Sequence, residues 1–485
     1  MWHKPWGMKE GFVIGGGLIL AGLALELGVG PVKWAAFVWP VNGIVLIGFL
    51  LMILGLFLWR KRFYACQFIG TYKAAIPALL YAVGLTLVMG LTRQVSLTPD
   101  PSPKGEGSLW INHMLNFWPF VLTYVYIAVI LGLIILRRIT HICNWRRDVP
   151  FLLNHLGLFL AMTTATLGNA DMEQLKMVTS IGNPEWRALE ESGAIKEMPF
   201  TIELKRFIME TYDNGSPKRF ASEIKILTKS GKRIETTIDV NKPYEVDGWK
   251  IYQYSYDTQM GAQSQISILE LVSDPWLPLV YIGFYMMLAG AVCLLVFSLP
   301  FAGSGGEGHW HYKWAFSFST LVALVIIGVF LFRSGLHSKT LMPALQSPWF
   351  APHVIVYMFA YALLGAATVM AFYLLFFKKT TVSDHAYGII DRLVYIGLGF
   401  MTFGMLFGAF WAKEAWGHYW AWDPKETWAA ITWLSYLVYI HYRLLPKHRP
   451  RLALGLLLIC FILLQMCWWG INYLPSAQGA SVHTY

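Results

Sequence analysis

Charge is scarce in this chain. Asp, Glu, Lys and Arg make up 14% of its 485 residues, against 56% hydrophobic residues. A soluble protein of that length needs far more polar surface, so the composition excludes one and points to an integral protein of the lipid bilayer. Cysteine is scarcer still: Cys66, Cys143, Cys293, Cys460 and Cys467 are all there is, and none forms a CxxC pair. All five fall in apolar segments or in loops on one side of the membrane. The one long polar stretch, about 169–276, holds none, which excludes a disulfide framework there. Thiol chemistry on that side must use cysteines belonging to a partner. Acidic residues are few elsewhere, since 17 of the 28 lie in this stretch and mark it as solvated. No short-period internal repeat is present.

What is there is a series of apolar runs of about 20 residues, the length that crosses a bilayer. Eleven are expected, at roughly 11–29, 37–59, 74–92, 115–136, 150–168, 277–299, 314–332, 353–377, 389–411, 428–445 and 452–469. The first is Gly-rich and lacks a small-residue cleavage site after a short apolar core, so it reads as an anchor and not a cleaved signal peptide. With the N-terminus cytoplasmic, the inner connections carry eighteen Lys and Arg and the short outer ones seven. Basic residues favour the inside, which sets that orientation. The net charge of +10 is therefore a topology signal, with no nucleic acid implied.

Within 169–276, alternation such as TIELKRFIMETY (201–212), the turn YDNGSP and SEIKILTKSGKRIETTIDV predict strands joined by Gly-containing turns. The expected fold is mainly α: a polytopic membrane helix bundle of about eleven spans with one small β-rich extracytoplasmic domain. SLTPDPSPKGEGS (96–108) reads as an outer loop, and FAGSGGEGHWHYK (301–313) as a flexible cytoplasmic linker between two halves.

Depth sorts the thirteen histidines. His155, in FLLNHLGLFLA, and His441, in LSYLVYIHYRLL, both lie toward the cytoplasmic side of their spans. Ionisable groups within a span usually face a bundle interior and carry function. A snorkelling helix-end residue beside Arg443 is an equal reading of His441 from depth alone. On the outer side, His353 opens a span and heads a column with Tyr357 and Tyr361 at i+4 and i+8. His483 lies in the C-terminal tail NYLPSAQGASVHTY, also outside. His337, His385, His418 and His448 read as loop residues, and His309 and His311 as exposed linker residues.

Between spans nine and ten stands WAKEAWGHYWAWDPKETW (411–428), five tryptophans interleaved with charges. An interfacial aromatic belt accounts for the indoles but not for Glu414, Asp423 and Glu426 among them. Haem suits the whole arrangement: a flat, apolar macrocycle with two propionates and an iron that takes imidazole ligands. Indoles offer faces for the porphyrin, and Lys413 or Lys425 are candidates to meet propionates.

WGHYWAWDPKETW resembles the tryptophan-rich WWD signature of the haem-handling family that includes CcsA (also called ResC), CcmC and CcmF. LQSPWFAPHVIVYMFAYALLG, LSYLVYIHYR and the C-terminal histidine look like CcsA in particular, over about 314–485. Residues 150–300 look like ResB (CcsB), through NHLGLFLAM, MPFTIELKRFIMETYDNGSPKRFASEIKI, VNKPYEVDGWKIYQYSYD and SDPWLPLVYIGFYMMLAG. The chain is similar to fused System II cytochrome c synthases (CcsBA type). The resemblance implies four parts: a four-span region at 1–149, a ResB-like part at 150–300, the linker at 301–313 and a CcsA-like part at 314–485.

It also implies a holocytochrome c synthase, or haem lyase, of the bacterial inner membrane. His353 and His483 match the external axial ligands of a haem b, and His155 and His441 match two membrane histidines that hold haem on its way from the cytoplasm. Trp411, Trp416, Gly417, Trp420, Trp422, Asp423 and Trp428 match the WWD platform. The implied partners are apocytochrome c, through its CxxCH segment, and thiol-reducing proteins. No residue of the chain is expected to act as a nucleophile. A haem exporter feeding a separate ligase and a membrane b-type electron-transfer protein are the rival readings.

Overall fold

The computed structural model describes residues 2–94, 110–298, 324, 341–377 and 384–477. The expected span 314–332, the linker 301–313 and His483 lie outside the described residues. Among the described residues ten long helices form: α1 (Met8–Val29), α2 (Val41–Trp59), α4 (Tyr72–Leu91), α5 (Trp118–Ile139), α6 (Trp145–Gly168), α7 (Leu277–Ser298), α8 (Phe350–Phe376), α9 (Asp384–Trp416), α10 (Pro424–Arg443) and α11 (Pro450–Trp468), with a short α3 (Tyr64–Ile69) before α4. They match ten of the eleven expected segments. Nine are long and apolar enough to cross a membrane; α10 is less apolar but packs among them.

Small residues let these helices approach closely, as membrane packing requires. One such seam joins α6 and α7: a Cβ on Gly157 would stand 2.8 Å from the Gly283 carbonyl oxygen, and one on Gly283 would stand 2.7 Å from that of Gly157. A side chain at either position would force the two backbones apart. The largest helical core gathers Ala360, Leu364 and Ala367 of α8, Leu393 and Val394 of α9, Tyr436 and Tyr439 of α10, and Leu454 and Leu457 of α11. Ile76 and Leu79 of α4 join it, so the N-terminal region packs directly on the C-terminal one.

At 33 residues, α9 is about 50 Å long at 1.5 Å per residue. A hydrocarbon core is about 30 Å thick. The helix is thus longer than that layer, and its last turn, with Lys413, meets Asp274 at the end of the sheet domain.

Eight strands fill the polar stretch: β1 (Glu173–Ser180), β2 (Glu185–Glu190), β3 (Ile195–Thr211), β4 (Pro217–Thr228), β5 (Arg233–Asp239), β6 (Tyr244–Val246), β7 (Trp249–Tyr256) and β8 (Ile266–Ser273). They form one sheet in the order β5-β4-β3-β2-β1-β8-β7-β6, and all neighbours are antiparallel. In β3, Phe200, Ile202 and Leu204 alternate inward, then a bulge between Leu204 and Arg206 shifts the phase so that Phe207 is buried next. Lys205 and Arg206 both stay in solvent as a result. The sheet curls until β4 faces β7 and β8, where buried Ser222 donates to Gln253 Oε1 at 2.6 Å and lies 2.7 Å from Ser267 Oγ.

The sheet domain stands on one carboxylate. Asp171, between α6 and β1, accepts from the Trp39 backbone N–H (2.7 Å), Asn42 Nδ2 (2.7 Å) and Trp276 Nε1 (2.6 Å). Burial pushes this carboxyl up, but the three donors outweigh it and hold it below the usual carboxylate range.

Candidate functional site

The tryptophan-rich turn is built by two helix ends. Gly417, at φ +76°, takes the left-handed conformation that stops α9. A Cβ there would also come within 2.8 Å of Val272 in β8 and 3.3 Å of Tyr252 in β7, so this turn lies directly on the sheet domain. Asp423 then caps α10. Its Oδ1 accepts from the Lys425 backbone N–H at 2.7 Å, Pro424 takes the first helical position, and Glu426 Oε2 accepts from the Asp423 N–H at 3.2 Å and the Ala421 N–H at 2.8 Å.

Two other charges in the turn have partners as well. Lys413 Nζ lies 2.9 Å from Asp274 Oδ2, with both side chains nearly fully buried. Glu414 accepts from Trp349 Nε1 at 2.9 Å. The charge on Lys413, a candidate for a propionate, is thus met by Asp274 within the protein. The charges that set this segment apart from an aromatic belt give its turn a fixed shape.

The indoles divide. Trp411 and Trp428 are buried, donating to the Ala344 carbonyl (2.8 Å) and the Gly90 carbonyl (3.2 Å). Trp428 thereby ties α10 to the end of α4. Trp416, Trp420 and Trp422 are half-buried. Trp416 lies 5.3 Å from Trp411, centroid to centroid, Trp420 meets Trp422 edge-on at 5.8 Å, and Trp422 meets Phe120 of α5 at 6.0 Å.

His353 sits in the first turn of α8, beside this turn. Its Nδ1 is 2.8 Å from the Gly404 carbonyl oxygen, and its ring is edge-on to Tyr357 at 4.9 Å and to Trp411 at 5.8 Å. The ring lies against a glycine face of α9, since a Cβ on Gly408 would come 2.9 Å from its Cε1. Tyr357 and Tyr361 continue the expected column, with ring centroids 5.8 Å apart.

Toward the opposite face, His155 of α6 and His441 of α10 meet, with ring centroids 6.4 Å apart at an interplanar angle of 73°. Each turns Nδ1 to the carbonyl four residues back on its own helix: Phe151 at 2.8 Å, Leu437 at 2.7 Å. That contact orients both rings and leaves Nε2 to other partners. Phe151 stacks on His155 at 3.9 Å, and the Arg138 guanidinium lies 4.5 Å from the Phe151 ring. Tyr72, at the start of α4, stands 6.2 Å from His441. Among the described residues no three His, Cys, Asp or Glu side chains converge as a metal cage would require. The pair brings two imidazoles together.

Sequence reasoning grouped the four histidines by depth but did not find Tyr72, Asp274 or the cap made by Asp423. The cap was readable: Asp-Pro-Lys-Glu ahead of a helix is a capping box with proline at its first position. Tyr72 and Asp274 carry no local signal, because only the packing of distant helices brings them in.

Two family models match the chain. One, described as Cytochrome C assembly protein, covers residues 281–477; the other, the ResB-like family, covers 145–264. Curated relatives named cytochrome c biogenesis protein CcsA include those of Chlamydomonas reinhardtii (41% identical over 157 residues; 30% of this chain, 43% of the relative), Mesostigma viride (35% over 182 residues; 31% and 58%) and Prochlorococcus marinus strain MIT 9301 (34% over 180 residues; 30% and 57%). The chain spans about half the length of these relatives. The helices, the sheet domain and the two matches define a class, polytopic membrane proteins that carry a ResB-like and a cytochrome c assembly segment. Because both matches stand in one chain, the protein is similar to a fusion of a ResB-like and a CcsA-like part.

Proposed function

We propose that the chain works in cytochrome c biogenesis as a holocytochrome c synthase. It moves haem b from the cytoplasmic side to the tryptophan-rich turn and attaches it to the CxxCH segment of apocytochrome c. One observation carries the reading: His155, from the ResB-like match, and His441, from the cytochrome c assembly match, face each other across α6 and α10. Two imidazoles bound to one metal through ring nitrogens at about 2 Å have centroids on the order of 6 Å apart. The observed 6.4 Å suits an iron between them. A snorkelling side chain would face lipid headgroups, whereas His441 faces a second imidazole.

In this reading His353 and His483 are the axial ligands at the outer site. The half-buried Trp416, Trp420 and Trp422 hold the porphyrin, and Gly417 and Asp423 hold the turn in shape. Each substrate thiol adds across one haem vinyl group: a sulfur–carbon bond forms, the C=C bond becomes single, and the thiol hydrogen ends on the neighbouring carbon. The addition involves no net oxidation, so the chain's task is orientation and proximity. A thiolate is the nucleophile, which is why thiol-reducing partners must keep both substrate cysteines reduced. The sheet domain, which touches Gly417, receives apocytochrome c in this reading. The N-terminus is cytoplasmic, the sheet domain and turn are extracytoplasmic, and the membrane is the bacterial inner membrane.

Expression in cells lacking all cytochrome c maturation, followed by a stain for covalent haem on a reporter, tests the activity. Purified protein should show a low-spin bis-imidazole spectrum. His353→Ala should alter that spectrum and abolish maturation, while His155→Ala and His441→Ala should lower haem content. Full haem and full maturation in both inner variants would sink the path.

A further inference from the structure

A second concave site lies on the His155–His441 side of the bundle, built largely by residues that neither family match covers. Trp6, Tyr64, Phe68, Thr71, Tyr72, Lys73, Leu445 and Pro446 line an open cleft of about 160 Å³. Its wall is aromatic: Trp6 stands edge-on to Tyr64 at 5.2 Å and to Phe68 at 5.3 Å. Its rim is cationic. Lys73 Nζ donates to the Trp6 carbonyl at 3.2 Å with two hydrogens left over, and Lys4 Nζ lies 5.0 Å from the Tyr64 ring centroid. Among the described residues no Asp or Glu lines the cleft.

The cleft borders the imidazole pair through one side chain. Tyr72 lines it and also stands 6.2 Å from the His441 ring. Leu445 lies just past the end of α10, four residues after His441. Whole ligand pockets run to about 300–1,000 Å³. A cleft of this size therefore takes one edge of a flat macrocycle and not the whole of it.

We infer that this cleft is the entrance through which haem reaches His155 and His441, with the aromatic wall taking the porphyrin edge and Lys73 a propionate. The inference rests on the proposed haem path and gives the N-terminal region a role in it. Haem meets Lys73 first, slides its face past Tyr72, and passes to the two histidines.

Stopped-flow loading of the full chain, purified and stripped of haem, tests this with two probes: haemin and haemin dimethyl ester, which lacks the carboxylates. The readout is the rate at which the bis-imidazole spectrum appears, and its final form. Lys73→Gln should slow haemin about tenfold, the scale of one charge-assisted contact, and leave the ester unchanged. Thr71→Trp and Pro446→Trp, which add bulk at two points of the cleft's lining, should slow both probes while the final spectrum stays that of the wild type. Wild-type rates in both plug variants would overturn the entrance. Equal slowing of haemin and ester by Lys73→Gln would overturn the propionate contact. A wild-type spectrum indifferent to both His155→Ala and His441→Ala would instead refute the haem path itself, and the entrance with it.

Discussion

Removing either partner of the Lys413–Asp274 pair should be among the most damaging single changes outside the histidines. The pair joins the end of the sheet domain to the last turn of α9, and its side chains are 3% and 6% exposed. The Lys413 ammonium also lies 5.7 Å from the Tyr419 ring, so its surroundings are protein on every described side. Breaking a buried pair leaves an uncompensated charge and costs about 3–5 kcal/mol, whereas replacing both partners by apolar residues of similar volume is often close to neutral. Lys413→Met and Asp274→Leu should therefore each destabilise by about 3 kcal/mol, and the double variant should return to within about 1 kcal/mol of wild type. The assay is a double-mutant cycle on the full chain in detergent, with unfolding followed by tryptophan fluorescence. A coupling under about 0.5 kcal/mol would mean that water screens the pair and that it does not lock the domain.

Replacing Trp420 and Trp422 together by Ala should weaken haem retention by about one to two orders of magnitude, and Phe replacements less, because a ring face remains. A normal haem-to-protein ratio in the double Ala variant would make these indoles membrane anchors. Gly417→Ala should cost about 1–2 kcal/mol for its left-handed backbone and about 1–3 more for the clash with Val272. Gly231→Ala, at a similar φ of +80° with open space around it, should show the first cost alone, and equal melting shifts would refute the contact. Burial pushes Glu270 in β8 up to about 7, with Lys176 pulling the other way. Its folded carboxyl then keeps a proton that the unfolded chain, at 4.5, has already lost, so stability falls as pH rises between these values. Glu270→Gln should raise stability above about pH 7 by on the order of 2–3 kcal/mol and change little near pH 4.5; an equal gain at both would exclude titration as the cause.

Much of the fold was legible because the membrane leaves so few solutions. Ten apolar segments are helices, and the alternation in TIELKRF marked a strand, while the bulge between Leu204 and Arg206 was not read from it. The grouping of His155 with His441 was readable too, because helix length converts residue number into position along a span, and the two rings do meet. What stayed hidden was lateral. Trp428 bonds to Gly90, 338 residues away, and nothing in either segment names the other. The five tryptophans read as a single platform, yet the buried indoles of Trp411 and Trp428 are committed to backbone carbonyls. Composition says that an aromatic is present; only packing says which way it points.

The imidazole pair has a consequence for how such a protein is made. One ring comes from each family segment, so neither segment alone holds the pair, and a surplus of either is wasted. Two separate chains would have to find each other in the bilayer at whatever ratio they were synthesised. A single chain makes the ratio one by construction and turns their meeting into an intramolecular event, at an effective concentration on the order of millimolar. Fusion is thus a way of metering the pair: every copy that folds carries both imidazoles, and none waits for its other half.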